Sequence, residues 1–335
     1  MKCYFCVSVM DDRDTQLIYQ DMLEVALKSA KNKTSLDLVV LYDGPEDHPY
    51  AKIIRESGAA LIKHRFSKAN SLPRAFPQDY LIRRHGRAYE YKKLFGTFMR
   101  LDIPEIEKEE SVVLYSDFDV IFQKDIELEQ FKKDFTLLAA PEFSTDLSEF
   151  TYFNAGVLVL NISKVAPHFR NILDKIEKGI PNETGLFDQG YLNDELFGLH
   201  QLLPLQYNWK PYWGFNKDAS IVHFHGLKPS GDYKSSGYLM SQTALELCFA
   251  GRLKEISGFL YYVQQFHDYL GKPIDKEWLL NSMDRILDCN LCLEGRGQNT
   301  EKGFRQPITP DLLNKKIVFD YFVHRIKKIA SRYIK

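Results

Sequence analysis

The chain has 335 residues, enough for one large α/β domain with an appended helical piece. At 44% hydrophobic and 27% charged residues it has the composition of a soluble globular protein, so a core of useful size is assured. Lys and Arg number 44 against 45 Asp and Glu, so no global field draws the chain to nucleic acid and a charged partner must be recognised locally.

The first apolar run is too short for a signal peptide or a membrane span and reads as a strand, Tyr4 to Val9, ending at Asp11-Asp12. Thr15 to Ala30 has helical periodicity, Leu36 to Leu41 is a second strand, Tyr50 to Glu56 a short helix and Ala60 to Ile62 a third strand. This alternation predicts a mostly parallel sheet with helices on its faces, whose ligands bind beyond the carboxyl ends of the strands. Phe66 to Gly86 reads as a polar loop, and Tyr89 to Leu101 as a helix closed near Pro104. Strands follow at Ser111 to Tyr115, Leu137 to Ala140, Gly156 to Leu160 and Ile221 to Phe224. Helices are expected at Ser163 to Lys178, with Ser163 at the cap, and at Phe187 to Leu196. Beyond about Tyr238 only helical patterns remain, which divides the chain into residues 1–238 and a helical region, 239–335.

The five cysteines are an odd number without a disulfide framework, which points to a reducing, cytoplasmic setting. Cys3/Cys6 and Cys289/Cys292 are both C-x-x-C pairs, but a strand turns Cys3 and Cys6 to opposite faces, which argues against a shared zinc site.

The segment carrying chemistry is Val112 to Phe122, where an apolar strand runs into Asp117-Phe118-Asp119. Residues i and i+2 of an extended chain face the same way, so the two carboxylates converge and repel unless a cation sits between them. A hard divalent ion, Mn²⁺ or Mg²⁺, resolves this and leaves positions for diphosphate oxygens. Alone the motif is weak, since roughly one or two arise by chance at ordinary Asp usage. The second copy, Asp12 and Asp14, suits a helix N-terminus. A second strand, Ile221 to Phe224, ends in His223 and His225, then Gly226 and Lys228. An imidazole there can complete the cation's ligands, Gly226 allows close backbone approach, and Lys228 can reach a phosphate. Trp209 and Trp213 suit either sugar stacking or core packing.

Six segments in this order resemble glycosyltransferase family 8. They are Phe98 to Pro104, Leu114 to Asp119, Tyr152 to Leu158, Phe187 to Asn193, Leu203 to Trp209 and His223 to Pro229. The resemblance implies a GT-A-like nucleotide-sugar-binding fold, with a mostly parallel central sheet and a C-terminal helical extension. It implies a UDP-sugar donor, Mn²⁺ (or Mg²⁺), a saccharide or glycolipid acceptor, and transfer of a hexose with retention. Asp117, Asp119 and His223 would hold the metal. Asp188, Gln189, Arg100 and Asn154 would serve catalysis around the transferred sugar. Asp12, Asp117, Asp119, Asn154, Ala155, Gly156, Gly226 and Lys228 would bind the donor. The chain departs from the family in having Ser230 after Lys228-Pro229, and no aromatic at Arg13 or Asp14.

The stretch Trp209 to Gly214 has no acid to serve as the base of an inverting transfer, which leaves Asp188 as the only other candidate and agrees with retention. A nucleotidyltransferase on a similar sheet would need a glycine-rich loop after the first strand, which Met10 to Arg13 lacks. A non-enzymatic carbohydrate-binding module would have no use for these carboxylates, the imidazole and the lysine at one rim. Residues 315–335 form a basic amphipathic pattern that suits either peripheral contact with the inner membrane surface, fitting a lipopolysaccharide-type acceptor, or docking on the parent domain.

Overall fold

The computed structural model describes residues 1–229 except 12, 86–87, 127–133, 144, 146, 148–149, 185 and 227, and residues 256–279 except 276. Asp12, Cys289, Cys292, the domain boundary near residue 238 and the basic segment 315–335 lie outside the described residues.

The buried strand β1 (Lys2–Ser8) is followed by α1 (Arg13–Lys33), β2 (Asp37–Asp43), α2 (Pro49–Ser57) and β3 (Ala60–Lys63). The strands pair in parallel, as the alternation predicts, and β4 (Val112–Ser116) joins β1 on its other side. The full order is β3-β2-β1-β4-β7-β6-β8, with β6 (Leu137–Pro141), β7 (Phe153–Asn161) and β8 (His200–Leu202). β7 runs antiparallel to both β4 and β6, while β6 and β8 pair in parallel. A separate antiparallel ribbon joins β5 (Val120–Phe122) to β9 (Ile221–His223).

Strand periodicity sorts β1 between two cores. Cys3, Phe5 and Val7 pack on one face with Leu23 and Leu27 of α1 and Ile54 of α2. Tyr4 and Cys6 pack on the other face. The cysteines are therefore buried, free and on opposite sides of the sheet.

The expected polar loop at 66–86 is instead a structured layer. It holds α3 (Leu72–Ala75) and α4 (Gln78–His85), and Phe66, Leu72, Phe76 and Leu81 are buried in the core. Proline, arginine and glutamine between these anchors hide their periodicity. The helix expected at 89–101 is α5 (Tyr91–Phe98), followed by a 3₁₀ turn at Met99–Asp102 and α6 (Ile103–Ile106). Asn161, not Ser163, caps α7 (Ile162–Lys178), its side chain accepting from the Lys164 N–H. Such a cap is worth about 1 kcal/mol. After α8 (Phe187–Glu195), two 3₁₀ turns lead to β9. A third core unites α1, Trp209 and Trp213 with α9 (Ile256–Leu270). Among the described residues no helix is long and apolar enough to cross a membrane.

Candidate active site

Asp117 and Asp119 lie in the connection from β4 to β5, at the rim where the parallel strands end. Neighbouring backbone holds both ends of this connection, because Asp117 N–H donates to Gly156 O at 2.7 Å and Asp119 O accepts from Phe224 N–H at 2.8 Å. Val120 pairs with His223 across the β5–β9 ribbon, so the strand following the carboxylates sets the imidazole beside them. His223 Nε2 lies 3.3 Å from Asp119 Oδ1 and 4.0 Å from Asp117 Oδ2. One ligand atom from each of Asp117, Asp119 and His223 falls within 4.8 Å of the other two. Oxygen donors from two carboxylates and one imidazole nitrogen suit a divalent ion of the Mn²⁺ or Mg²⁺ type.

The surroundings hold these groups in place. Arg100 donates to Asp117 Oδ1 at 2.9 Å, and the Tyr115 hydroxyl donates to the same oxygen at 2.5 Å. Lys228 donates to Asp119 Oδ2. Burial raises the Asp119 carboxyl's pKa, but the charge of Lys228 beside it outweighs burial and holds the group ionised. Burial is also the main cause that lowers the His223 pKa, favouring the neutral ring that a metal requires. Gly156 is indispensable for room. A Cβ there would stand 2.1 Å from His223 Cε1, so no larger residue fits beneath the imidazole. Asn208, fully buried, meets His223 Nδ1 at 3.0 Å.

A cleft opens beside the trio, between the ends of β1 and β4 and the facing turns of α1 and α5. Met10, Tyr19 and Phe118 give it an apolar wall, and Lys93 and Lys228 are its lining cations. The Tyr19 and Phe118 rings meet edge to face at 5.1 Å.

No curated protein matches the chain. Residues 77–230 match the family model described as glycosyl transferase family 8. Over these residues the chain is similar to family 8 glycosyltransferases. Among solved structures, the galactosyltransferase LgtC in complex with donor and acceptor sugar analogues superposes with a TM-score of 0.52 at 18% identity, over 83% of this chain and 99% of LgtC. An active-site mutant of LgtC gives a TM-score of 0.51 at the same 18% identity and the same coverage. These likenesses establish a GT-A-like fold for this glycosyltransferase.

The structure sorts the residues that the sequence nominated for the glycosyltransferase site. Asp117, Asp119, His223 and Lys228 come together. Gly226, at φ 88°, takes a left-handed turn that suits glycine and leads the chain from β9 back to Lys228. Arg100, expected beside the donor sugar, is only 2% exposed. Its N–H groups go to Thr97 O, Ala155 O and Asp117, so it positions Asp117 from behind the cleft. Ala155 is likewise engaged, its N–H with Gln189 Oε1 at 2.9 Å and its carbonyl with Arg100. Asn154, Ala155 and Gly156 all belong to β7, which starts earlier than the strand expected at Gly156. Asn154 donates to Glu142 Oε2 at 2.9 Å and lies 3.4 Å from Gln189 Oε1. Asp188 is buried, and burial pushes its carboxyl up to about 6. Its Oδ2 lies 3.0 Å from Arg100 Nε, but that N–H points to Thr97 O, so this buried oxygen has charge compensation without a hydrogen bond. Trp209 and Trp213 are core residues, their indole N–H groups bound to Gly214 O and Phe143 O.

Sequence reasoning missed Glu142, Asn208, Lys93, Tyr19 and Phe118. Of these, Asn208 and Phe118 lie inside segments that carry the family resemblance, but were given no role there. Glu142 follows strand β6 without a motif around it, and its two oxygens meet Asn154 and His225 Nε2 (3.0 Å).

Proposed function

We propose that this glycosyltransferase transfers a hexose from a UDP-sugar to a saccharide or glycolipid acceptor with retention, using a divalent cation, Mn²⁺ or Mg²⁺. The observation that carries the reading is the convergence of Asp117, Asp119 and His223 donor atoms within 4.8 Å. When bound, the cation supplies Lewis-acid stabilisation of the diphosphate that leaves the sugar. Lys228, beside Asp119, is placed to add a second positive charge to the same oxygens. Arg100 and Tyr115 keep Asp117 aimed at the site before the donor arrives. The apolar wall of Met10, Tyr19 and Phe118 offers the nucleotide base a surface. Asp188 and Gln189, beside Asn154, border the transferred sugar.

The state of the remaining acids supports retention. An inverting transfer needs a carboxylate base for the acceptor hydroxyl. Glu142 accepts from Asn154 and faces His225, and although burial raises its pKa, those partners and Lys210 draw it down to about 2, far too weak a base. Asp188 is buried against Arg100. With Glu142 too weak and Asp188 buried beside Arg100, no acid among the described residues is placed to deprotonate the acceptor, and the departing phosphate would take that proton. Membrane contact through residues 315–335 and a lipopolysaccharide-type acceptor at a cytoplasmic membrane face are part of the same proposal and rest on the sequence.

The test is direct. Asp117→Ala should abolish transfer and donor hydrolysis while the protein keeps its fold, and chelated enzyme should recover only when Mn²⁺ or Mg²⁺ returns. Full turnover in chelator would overturn the reading.

A further inference from the structure

We propose that Asn208 is a positioning residue that fixes which ring nitrogen of His223 carries the proton, through a hydrogen-bond chain that starts at a backbone N–H. The proposal rests on the metal reading above and adds to it the device that makes His223 a ligand.

The chain begins at Gly156, whose N–H donates to Asn154 Oδ1 at 3.0 Å. A backbone N–H can only donate, so the Asn154 atom it meets must be the oxygen. The other end of Asn154 confirms this orientation, because its NH₂ faces Glu142 Oε2 at 2.9 Å, a carboxylate that only accepts. Asn154 Oδ1 is thus a fixed acceptor, and the Asn208 atom 3.0 Å from it must be the NH₂. That turns Asn208 Oδ1 toward His223 Nδ1, again at 3.0 Å. An oxygen opposite a ring nitrogen at that distance demands Nδ1–H.

A neutral imidazole protonated at Nδ1 has its lone pair on Nε2, the atom that faces Asp119 and Asp117. Asn208 is 0% exposed and His223 2%, so water cannot substitute for either partner. Flipping Asn208 to accommodate the other tautomer would set its oxygen against Asn154 Oδ1, and flipping Asn154 as well would face the Gly156 N–H with another N–H. The tautomer is therefore tied to the backbone of β7, three hydrogen bonds away. Asn208 itself lies just past a 3₁₀ turn, and the neighbouring Trp209 N–H and carbonyl bond to β9, so the amide is set by the same backbone that sets His223. Partners of this kind on metal-ligating histidines fix ring orientation and are commonly worth roughly ten- to hundredfold in metal affinity.

Two measurements test this. Long-range ¹H–¹⁵N correlation spectra of metal-free protein at mildly alkaline pH should show His223 Nδ1 protonated. Calorimetric titration with Mn²⁺ should find binding weakened roughly ten- to hundredfold in Asn208→Ala. Asn208→Asp, which keeps an oxygen for Nδ1–H but sets its other oxygen against Asn154 Oδ1, should retain the wild-type nitrogen pattern at a cost in stability read by chemical denaturation. A wild-type spectrum with Nδ1 bare overturns the proposal without any variant. So does a folded Asn208→Ala with unchanged nitrogen pattern and unchanged Mn²⁺ affinity. Wild-type protein that takes up no Mn²⁺ overturns the proposed function instead, whatever the ring nitrogens show.

Discussion

The glycosyltransferase carries two acid–imidazole pairs at one rim, Asp119 with His223 and Glu142 with His225, and they are built for different work. The two imidazoles are 5.7 Å apart, ring centre to ring centre. His225 has both nitrogens occupied, Nε2 by Glu142 at 3.0 Å and Nδ1 by the Tyr212 hydroxyl at 2.9 Å. His223 has Nδ1 on Asn208, while Nε2 faces the carboxylates of two separate residues. The number of anions converging on the nitrogen separates a cation site from a closed hydrogen-bonded pair. Residue type alone does not.

The largest expected effect breaks or upholds this contrast outright. His223→Ala and Asp119→Ala should each cut transfer on the order of a thousandfold, the scale of a lost divalent cation. His225→Ala should leave Mn²⁺ affinity within roughly a factor of a few. Comparable loss of Mn²⁺ binding in both histidine variants, read by calorimetry, would erase the distinction.

A smaller effect sharpens it from beneath. In Gly156→Ala the new methyl would need the space of the His223 ring, with a 2.1 Å approach to Cε1. Overpacking of this kind costs about 1–3 kcal/mol and should appear in chemical denaturation together with weaker Mn²⁺ binding. Unchanged stability would mean that the imidazole is free to move aside.

The smallest effect concerns the second pair. Burial pushes Glu142 up, but His225, Asn154 and Lys210 outweigh it and bring the carboxyl from 4.5 to about 2. A depressed acid contributes stability that is present above its unfolded value and lost as pH falls through its folded one. Glu142→Gln should therefore cost about 1–2 kcal/mol at neutral pH, because the amide keeps some of the hydrogen bonding. The deficit should close between about pH 4.5 and pH 2. A deficit that persists to pH 2 would show that the carboxylate's charge contributes nothing to this pair.

The two pairs also differ in how they could be read. Asp117 and Asp119 stand out because an apolar strand leads straight into them, and His223 because it closes another such strand. The parallel βαβ half was legible for the same reason, since each strand is a continuous apolar run. Glu142, Asn208 and Lys93 were not, because each becomes functional only through the reversed strand β7, the 3₁₀ turns and the packing of α5, none of which leaves a period in the sequence. Arg100 and Ala155 were nominated as substrate contacts but hold other residues. A motif's position does not say whether a side chain looks into the cleft or away from it.

β7 is the one strand of the large sheet that runs against its neighbours. Its start, not its end, arrives beside the termini of β1 and β4, carrying Asn154 and Gly156 with it. The connection entering β7 thus opens on the same side as the carboxylates, yet is joined to them through no shared loop. Changes to that connection leave the β4–β5 link and β9, which hold the carboxylates and His223, as they are, a modularity that a uniformly parallel sheet would not provide.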